Sequence, residues 1–375
     1  MKIVADDKIP FLKGALEPFA EVVYLPANLI NLEILKEADA LLTRTRTKCN
    51  SNLLEGTSVK FIGTATIGFD HIDTQYCNKK NIRWTNAPGC NSSSVQQYIA
   101  AALLKISSEF HFNLKDKTLG IIGVGNVGSK VEMFARRMGM NVLLNDPPRA
   151  RSEGIKNFHS LNKVLSSSDI VTVHVPLSIA GADTTYHLFN EEIFGRFKQG
   201  AWFLNSSRGE VTDTNALKKM LYAGKLDGAV IDVWENEPDI DVELMRQAYF
   251  ATPHIAGYST DGKANGTAMV VNSLCRNFNL PLGNWYPLNI PLPVSPYISI
   301  DCNNKQEEEI LREAVIHTYN IDEDSTRLRL SPPDFEKLRG DYPIRREFSA
   351  YTADLKGGTE KVRQILNELG FRIFI

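Results

Sequence analysis

The 375-residue sequence has no apolar run long enough to span a bilayer, and its net charge at pH 7 is only −2. The first absence argues against a transmembrane helix. The second gives no reason to expect nucleic acid or an anionic membrane as a partner. The five cysteines are scattered and odd in number, so neither a metal site nor a disulfide framework is expected. Because the amino terminus also lacks a secretory signal pattern, we expect a cytoplasmic protein.

Strand and helix patterns alternate along most of the chain. A chain of this length needs more than one core, and alternation of this kind predicts parallel sheets wrapped in helices. A helix pattern at residues 92–112 leads into a second series of strands that starts at residues 118–123, and another helix pattern covers 262–278. The strand patterns of the amino-terminal series lie at residues 3–5, 21–24, 40–43 and 59–63.

The end of the chain has a different composition. Five prolines fall between residues 281 and 296, which excludes a helix or a central strand there and predicts an extended linker. The remaining 297–375 carry strand patterns at 297–300 and 371–374 and helix patterns around 307–318 and 359–369, and so small a domain is expected to dock or to dimerise. We therefore predict α/β architecture, with doubly wound sheets and a small α+β domain at the end. The expected domains are 1–93 with 258–285 for substrate, 94–257 for the nucleotide, and 286–375 for dimerisation.

A glycine-rich turn follows the strand pattern at 118–123. Its sequence fits G-x-G-x-x-G, and in such turns glycines allow a tight bend and close approach of backbone to a pyrophosphate. Asp146 ends the next strand pattern, where a carboxylate accepts both ribose hydroxyls of NAD and repels a 2′-phosphate. Arg149 and Arg151 follow closely and keep NADP open as an alternative. The predicted contacts in the turn are Gly123, Gly125, Asn126, Val127 and Gly128.

Three further polar residues each follow a buried-strand pattern: Arg208, Glu237 and His254. Loops that leave the carboxyl ends of parallel strands line the ligand crevice of an open sheet. An arginine binds a carboxylate bidentately, a histidine exchanges a hydroxyl proton, and a neighbouring carboxylate orients the ring. Taken singly, Arg208 could form a surface ion pair, Glu237 could begin a turn, and His254 could be an ordinary loop histidine. Their joint placement after strands of one sheet favours catalysis.

This set of motifs resembles the D-2-hydroxyacid dehydrogenase family over roughly residues 1–285. The resemblance implies two similar α/β domains with the active site between them and NAD as the cofactor. It also implies that Arg208 binds substrate, that Glu237 supports the histidine, and that His254 is the acid–base residue.

Segments 63–73, 232–235 and 254–258, together with the extra carboxyl-terminal domain, resemble one branch of this family. That branch oxidises 4-phospho-D-erythronate at C2 in vitamin B6 synthesis and dimerises through its last domain. Two positions depart from the branch pattern, since Thr45 stands for serine and Val175 stands for threonine. A cofactor contact at Val175 would therefore use its backbone or be absent. The implied substrate contacts are Thr45, Thr66 and Tyr258, and the implied NAD contacts are Asp146, Val175, Ser206, Ser207, Arg208, Asp232 and Gly257.

A phosphorylated substrate needs its own anion-binding group. Arg44, Thr45 and Arg46 follow the strand pattern at 40–43, and guanidinium and hydroxyl donors suit a phosphate. A solvated basic loop is the alternative. Arg345 and Arg346 near the end of the chain could add to this site from a second subunit, or be ordinary surface charge.

The sequence therefore predicts an NAD-dependent oxidoreductase for a phosphorylated 2-hydroxy acid, and two alternatives stay open. One rival is another member of the family, chiefly a phosphoglycerate dehydrogenase. The other is a non-enzymatic, NAD-sensing interaction protein, for which the basic segment around Arg44 would have no purpose.

Overall fold

The structure is a computed structural model and describes residues 1–374. These residues form two compact units, each treated separately below. The first comprises Met1–Asn91 and Ser259–Pro291, and the second comprises Ser92–Tyr258 and the chain from Leu292 onward. The separate terminal domain expected from the sequence therefore packs within the second unit, and its status as a dimerisation domain remains a proposal.

The helices and strands follow the chain in an alternating order. The strands are β1 Lys2–Asp6, β2 Glu21–Leu25, β3 Ala40–Thr43, β4 Phe61–Thr64, β5 Arg83–Thr85, β6 Thr118–Ile122, β7 Asn141–Asn145, β8 Ile170–Val173, β9 Ala201–Asn205, β10 Leu226–Ile231, β11 Phe250–Ala251, β12 Tyr297–Asp301, β13 Thr352–Lys356 and β14 Arg372–Ile373. The α-helices are α1 Leu32–Leu35, α2 Ser51–Leu54, α3 Thr74–Lys79, α4 Ser92–Glu109, α5 Asn126–Arg137, α6 Pro147–Glu153, α7 Leu161–Ser167, α8 Glu191–Gly195, α9 Thr214–Tyr222, α10 Val242–Gln247, α11 Thr260–Asn277, α12 Glu307–Thr318, α13 Ile321–Leu330, α14 Phe335–Gly340 and α15 Glu360–Leu369.

The first unit is built on a parallel sheet in the order β2-β1-β3-β4-β5. Its central strands β3 and β4 are buried along their whole length, which matches the unbroken apolar runs in the sequence. Thr43 pairs with Thr64 at the carboxyl ends of these two strands. The loops that follow β3 and β4 therefore start side by side at one edge of the sheet.

The second unit contains a six-stranded parallel sheet in the order β11-β10-β9-β8-β6-β7. The chain starts at β6, adds β7 at one edge, and then crosses back past β6 to add β8, β9, β10 and β11 on the other side. This reversal is the arrangement that leaves a ligand crevice at the carboxyl ends of the strands. The loops after β6, β8, β9, β10 and β11 all leave from that edge, because the strands are parallel.

A third, three-stranded parallel sheet lies near the end of the chain, in the order β12-β13-β14. The sequence patterns identified β12, β14, α12 and α15 but missed the central strand β13, whose sequence Thr-Ala-Asp-Leu-Lys has only two apolar residues. This region shares a core with the rest of its unit: α12 packs against α4, and α13 packs against β11. Gln97 on α4 donates to Thr318 Oγ1 at 2.9 Å, and Ser94 donates to Glu347 at 2.8 Å.

No helix within residues 1–374 combines the length and the apolar character needed to cross a bilayer.

Candidate active site

The turn after β6 has the shape of a dinucleotide-binding loop. Gly123 has a φ of +86°, and a Cβ on it would lie 2.7 Å from the carbonyl oxygen of His174. A Cβ on Gly128 would lie 2.1 Å from the Gly123 oxygen, whereas one on Gly125 would meet no described atom within 4 Å. The first and third glycines are therefore needed for packing, and the second leaves open space at the start of α5. That space suits a pyrophosphate facing the helix amino terminus, where Asn126 and Val127 lie.

Asp146 follows β7 and lies beside this turn. Its carboxylate accepts from the Val124 N–H at 2.8 Å and from the Arg149 N–H at 3.0 Å, which caps α6. Arg149 pairs with Glu153 at 2.7 Å, and Arg151 pairs with Asp183. Both arginines that could have bound a 2′-phosphate are thus engaged by carboxylates, and the geometry favours NAD over NADP.

The loops after β8 and β9 supply the other predicted cofactor contacts. Val175 lies against the turn, since a Cβ on Gly123 would be 2.8 Å from its Cγ1 atom. Ser207 donates from both its N–H and its hydroxyl to the Asn205 side chain, at 3.0 and 2.8 Å. The Ser206 hydroxyl is buried and has no hydrogen-bond partner among the described residues. An orphaned hydroxyl at this edge of the sheet fits a group that accepts hydrogen bonds, as NAD does.

His254 and Glu237 form a hydrogen-bonded pair at the same edge. The Nδ1 atom of His254 lies 2.7 Å from Glu237 Oε2, and Glu237 Oε1 accepts from the Trp234 N–H at 3.0 Å. Burial would raise the pKa of the Glu237 carboxyl, but the hydrogen bond and charge of His254, with smaller contributions from Trp234 and Arg339, lower it overall. The carboxylate therefore fixes the imidazole through Nδ1 and leaves Nε2 to exchange a proton with a ligand.

Asp232 holds the backbone that carries His254. Its Oδ1 atom accepts from the Thr252 hydroxyl at 2.6 Å and the Ile255 N–H at 2.8 Å, and its Oδ2 atom accepts from the Ala256 N–H at 2.9 Å. Burial raises the pKa of Asp232, against the opposing effect of His254 and of these donors. His254 itself has a φ of 55°, and its N–H donates to the Asp232 carbonyl at 2.7 Å. Asp232 thus lies under the loop that includes Gly257, with both carboxylate oxygens used by the chain.

Arg208 precedes Gly209, whose backbone packs against the loop that carries Glu237. A Cβ on Gly209 would lie 2.0 Å from the carbonyl carbon and oxygen of Trp234, so only glycine allows this close approach of the two backbones. The contact sets the loop after β9 against the loop that carries Glu237. Arg208 is half-buried, and its Nη1 atom donates to the Ser207 carbonyl at 2.7 Å.

The predicted substrate residues of the first unit follow β3 and β4. Thr45 and Arg46 are exposed, and Arg44 is half-buried and donates to the Lys8 carbonyl at 3.1 Å. The Thr66 hydroxyl lies 2.7 Å from that of Thr64 and donates to the Gly68 carbonyl at 2.9 Å. These residues lie on neighbouring loops, as expected from the strand order of this unit.

The carboxyl-terminal region contributes two residues that the sequence did not single out, Arg339 and Tyr342. Tyr258 lies between two of its side chains, with the Arg339 guanidinium 5.6 Å above its ring and the Tyr342 ring 6.0 Å away. Arg345 and Arg346 are 5% and 9% exposed, so their interpretation as surface charge is wrong. Arg345 donates instead to the Ala256 carbonyl at 2.5 Å. No local pattern could have revealed these contacts, because they join segments about 80 to 100 residues apart.

Comparisons with known proteins agree with this geometry. Residues 94–256 match the family described as D-isomer specific 2-hydroxyacid dehydrogenase, NAD binding domain, and residues 291–370 match a domain of unknown function. An erythronate-4-phosphate dehydrogenase of Bacteroides thetaiotaomicron is 51% identical over 94% of this chain and 98% of its own length. The chain belongs to the erythronate-4-phosphate dehydrogenase family. A relative of the same name from Porphyromonas gingivalis is 39% identical over 99% of this chain and 100% of its own length.

Solved structures show the same fold. The D-lactate dehydrogenase from Aquifex aeolicus, complexed with NAD and lactic acid, is 27% identical, with a TM-score of 0.62 over 75% of this chain and 96% of its own. The 3-phosphoglycerate dehydrogenase of Entamoeba histolytica, solved with NAD, is 25% identical, with a TM-score of 0.60 over 77% of this chain and 99% of its own. The predicted fold class, the NAD-binding domain and the assignment as a dehydrogenase are confirmed. The chain is an oxidoreductase of the D-2-hydroxyacid dehydrogenase type.

Proposed function

We propose that this member of the erythronate-4-phosphate dehydrogenase family oxidises the C2 hydroxyl of 4-phospho-D-erythronate to 2-oxo-3-hydroxy-4-phosphobutanoate, in pyridoxal 5′-phosphate synthesis. The observation that carries the proposal is the His254–Glu237 pair, held at 2.7 Å at the sheet edge that also carries the glycine turn. The names of the full-length relatives support the choice of substrate.

The residues of the second unit divide the chemistry between them. His254 Nε2 takes the C2 hydroxyl proton as the C2–H bond breaks, and Glu237 stabilises the imidazolium that forms. The glycine turn after β6 and Asp146 would hold NAD, which would supply the hydride acceptor for C2. Arg208 binds the substrate carboxylate and polarises the carbonyl that develops at C2, because its fork of donors matches a planar anion.

The substrate's phosphate is assigned to Arg44, Thr45 and Arg46, with Thr66 and Tyr258 as further substrate contacts. Support comes from the donor chemistry of these residues and from the adjacent loops that carry Arg44 and Thr66 in the first unit. Arg46→Gln should raise KM for the phosphorylated substrate by about tenfold or more if a charged hydrogen bond is lost. An unchanged KM would remove Arg46 from the site.

The decisive experiment compares substrates. Purified protein is given NAD and, in parallel, 4-phospho-D-erythronate, 3-phospho-D-glycerate and unphosphorylated D-erythronate, and NADH formation is followed. The proposal expects the largest kcat/KM for the first compound. Preference for 3-phosphoglycerate would assign the other phosphorylated acid, and NAD binding without any turnover would point to an NAD-sensing protein.

Cofactor selection is assigned to Asp146. Its position beside the turn supports contact with the adenine ribose, where a carboxylate repels a 2′-phosphate. Asp146→Ala should weaken NAD binding and reduce the preference for NAD over NADP. A wild-type preference for NADP would contradict the assignment.

We further propose a cytoplasmic homodimer formed through the carboxyl-terminal region. Leu292, Val294 and Tyr297 are apolar side chains that are 75%, 99% and 75% exposed, and such a surface suits a partner. Light scattering on the full-length protein should give a dimer, and Val294→Asp with Tyr297→Asp should shift it toward monomer. A monomeric wild-type protein would refute the dimer.

A further inference from the structure

Helix α14 places an arginine beside the catalytic pair. Arg339 Nη1 lies 3.9 Å from Glu237 Oε2, the same oxygen that meets His254 Nδ1, and 3.4 Å from Glu336 Oε1. Its guanidinium also covers the rings of Tyr258 and Phe335, at 5.6 and 5.7 Å. The cation therefore shares the carboxylate on which the imidazole depends.

Both charges are largely shielded from water. The side chains of Arg339 and Glu237 are 21% and 18% exposed, so their interaction is screened less than that of a surface pair. The Nε atom of Arg339 is buried without a hydrogen-bond partner among residues 1–374. The guanidinium is thus held in place by ring contacts and by two carboxylates.

The position of α14 is fixed by the residues that follow it. Arg345 donates to the Ala256 carbonyl at 2.5 Å, its guanidinium covers the Tyr319 ring at 4.5 Å, and Tyr342 donates to Asp324 at 2.6 Å. These buried contacts tie the segment after α14 to the loop that carries His254. Arg339 is therefore attached to the catalytic loop by a packed region of the protein.

We propose that Arg339 is a positioning residue that sets the pH range in which His254 accepts the substrate proton. The proposal rests on the function proposed above, in which His254 is the base. Glu237 alone favours the imidazolium, which cannot accept a proton. Arg339 opposes this effect by neutralising part of the charge on Oε2, and so keeps more of the imidazole neutral at a given pH.

Other ionisable groups lie near the pair or near Arg339, and the sign of the effect has to be judged with them present. The Asp232 carboxylate interacts with the charge of His254, Glu336 pairs with Arg339, and the Tyr258 ring lies under the Arg339 guanidinium. From the carboxyl-terminal region, Arg345 donates to the Ala256 carbonyl, and a cavity beside Pro253 is lined by Asp324, Lys337 and Tyr342. Removing Arg339 takes away one positive charge and leaves the other groups in place. The imidazolium of His254 should therefore become more favourable.

The test uses full-length protein with Arg339→Gln, Arg339→Lys and a control, Arg196→Gln. Arg196 pairs with Glu192 on α8, as Arg339 pairs with Glu336, but is not a partner of the catalytic pair. Arg339→Gln should move the acidic limb of the kcat/KM profile to higher pH by about half a unit, or roughly a threefold loss below the limb. Arg339→Lys should keep the acidic limb near its wild-type pH, and Arg196→Gln should have the same profile as wild type.

A second readout does not depend on turnover. The NMR titration of the His254 imidazole, assigned by its loss in His254→Gln, should show the same upward shift in Arg339→Gln without substrate. Glu336→Gln removes the competing carboxylate from an exposed position and should shift both profiles downward, which keeps the test available if Arg339→Gln fails to fold. Unchanged titrations in folded variants would overturn the role of Arg339. Absence of turnover in wild type would instead refute the proposed function.

Discussion

Two histidine–carboxylate pairs take their carboxylates from one loop of this protein, the loop after β10, and their geometry is nearly the same. His254 Nδ1 lies 2.7 Å from Glu237, and His187 Nε2 lies 2.6 Å from Glu235. Both histidines have a positive φ, of 55° and 46°. The distance between imidazole and carboxylate therefore does not tell which pair is catalytic.

Their surroundings differ. The second oxygen of Glu235 accepts from the Thr214 N–H at 2.9 Å, at the first residue of α9, and His187 stacks on the exposed ring of Tyr186 at 4.2 Å. Glu237 instead accepts from the Trp234 N–H and contacts Arg339, and His254 follows β11 at the edge that carries the glycine turn. The His187–Glu235 pair stabilises a helix start, while the His254–Glu237 pair lies at the sheet edge where we propose that ligand and cofactor bind. The residues around a histidine–carboxylate pair therefore indicate its function better than the distance between its imidazole and its carboxylate does.

The largest expected effect separates the two histidines. His254→Gln should lower kcat by roughly 100-fold or more, because a general base is lost, and leave the Kd for NAD near normal. His187→Gln should change kcat by less than about threefold, since the His187 imidazole contacts the helix-capping carboxylate and the exposed Tyr186 ring. Steady-state kinetics and NAD titration measure both. Equal losses in the two variants would show that the pairs are not distinguished by function.

The next effect comes from a change that disturbs both pairs together. Gly209→Ala adds a Cβ that would lie 2.0 Å from the Trp234 carbonyl group, so the loop with both glutamates must move. We expect about 1–3 kcal/mol of lost stability and at least about a tenfold loss of kcat/KM. Chemical denaturation and kinetics on the same sample give both numbers. Gly195→Ala is the control, because a Cβ there meets no described atom within 4 Å.

Glu237→Gln and Glu235→Gln compare the carboxylates. The interaction that lowers the pKa of Glu237 also stabilises the imidazolium, so removing its charge should move the acidic limb of kcat/KM to lower pH, by about one unit. Glu235→Gln should leave that limb in place. A shift of equal size in both variants would mean that the limb reports general electrostatics of the loop and not the His254 pair.

The sequence predicted one of these pairs and missed the other for a physical reason. Glu237 and His254 each follow an apolar strand pattern, and parallel strands bring their carboxyl ends to one edge, so their meeting was predictable. His187 lies between β8 and α8 with no such pattern around it. No sequence pattern singled out Arg339, and the contact of Arg345 with the Ala256 carbonyl was not predictable, because the placement of both depends on how the carboxyl-terminal region packs on α4 and β11. The doubly wound sheet and the glycine turn followed from local patterns, whereas the packing of that region did not.

The smallest expected effect concerns stability and would complete the contrast between the pairs. Glu235→Gln weakens a charged acceptor for the Thr214 N–H at the positive end of α9, which should cost about 1 kcal/mol of unfolding free energy. The matched control is Glu243→Gln, whose side chain is 68% exposed and pairs with Lys218 at the surface, so no measurable loss is expected. Urea unfolding at pH 7 measures both, and kcat/KM of Glu235→Gln should stay within about twofold of wild type, since Glu235 contacts no catalytic atom. A large loss of activity without a loss of stability would give the His187–Glu235 pair a catalytic role that its contacts do not indicate.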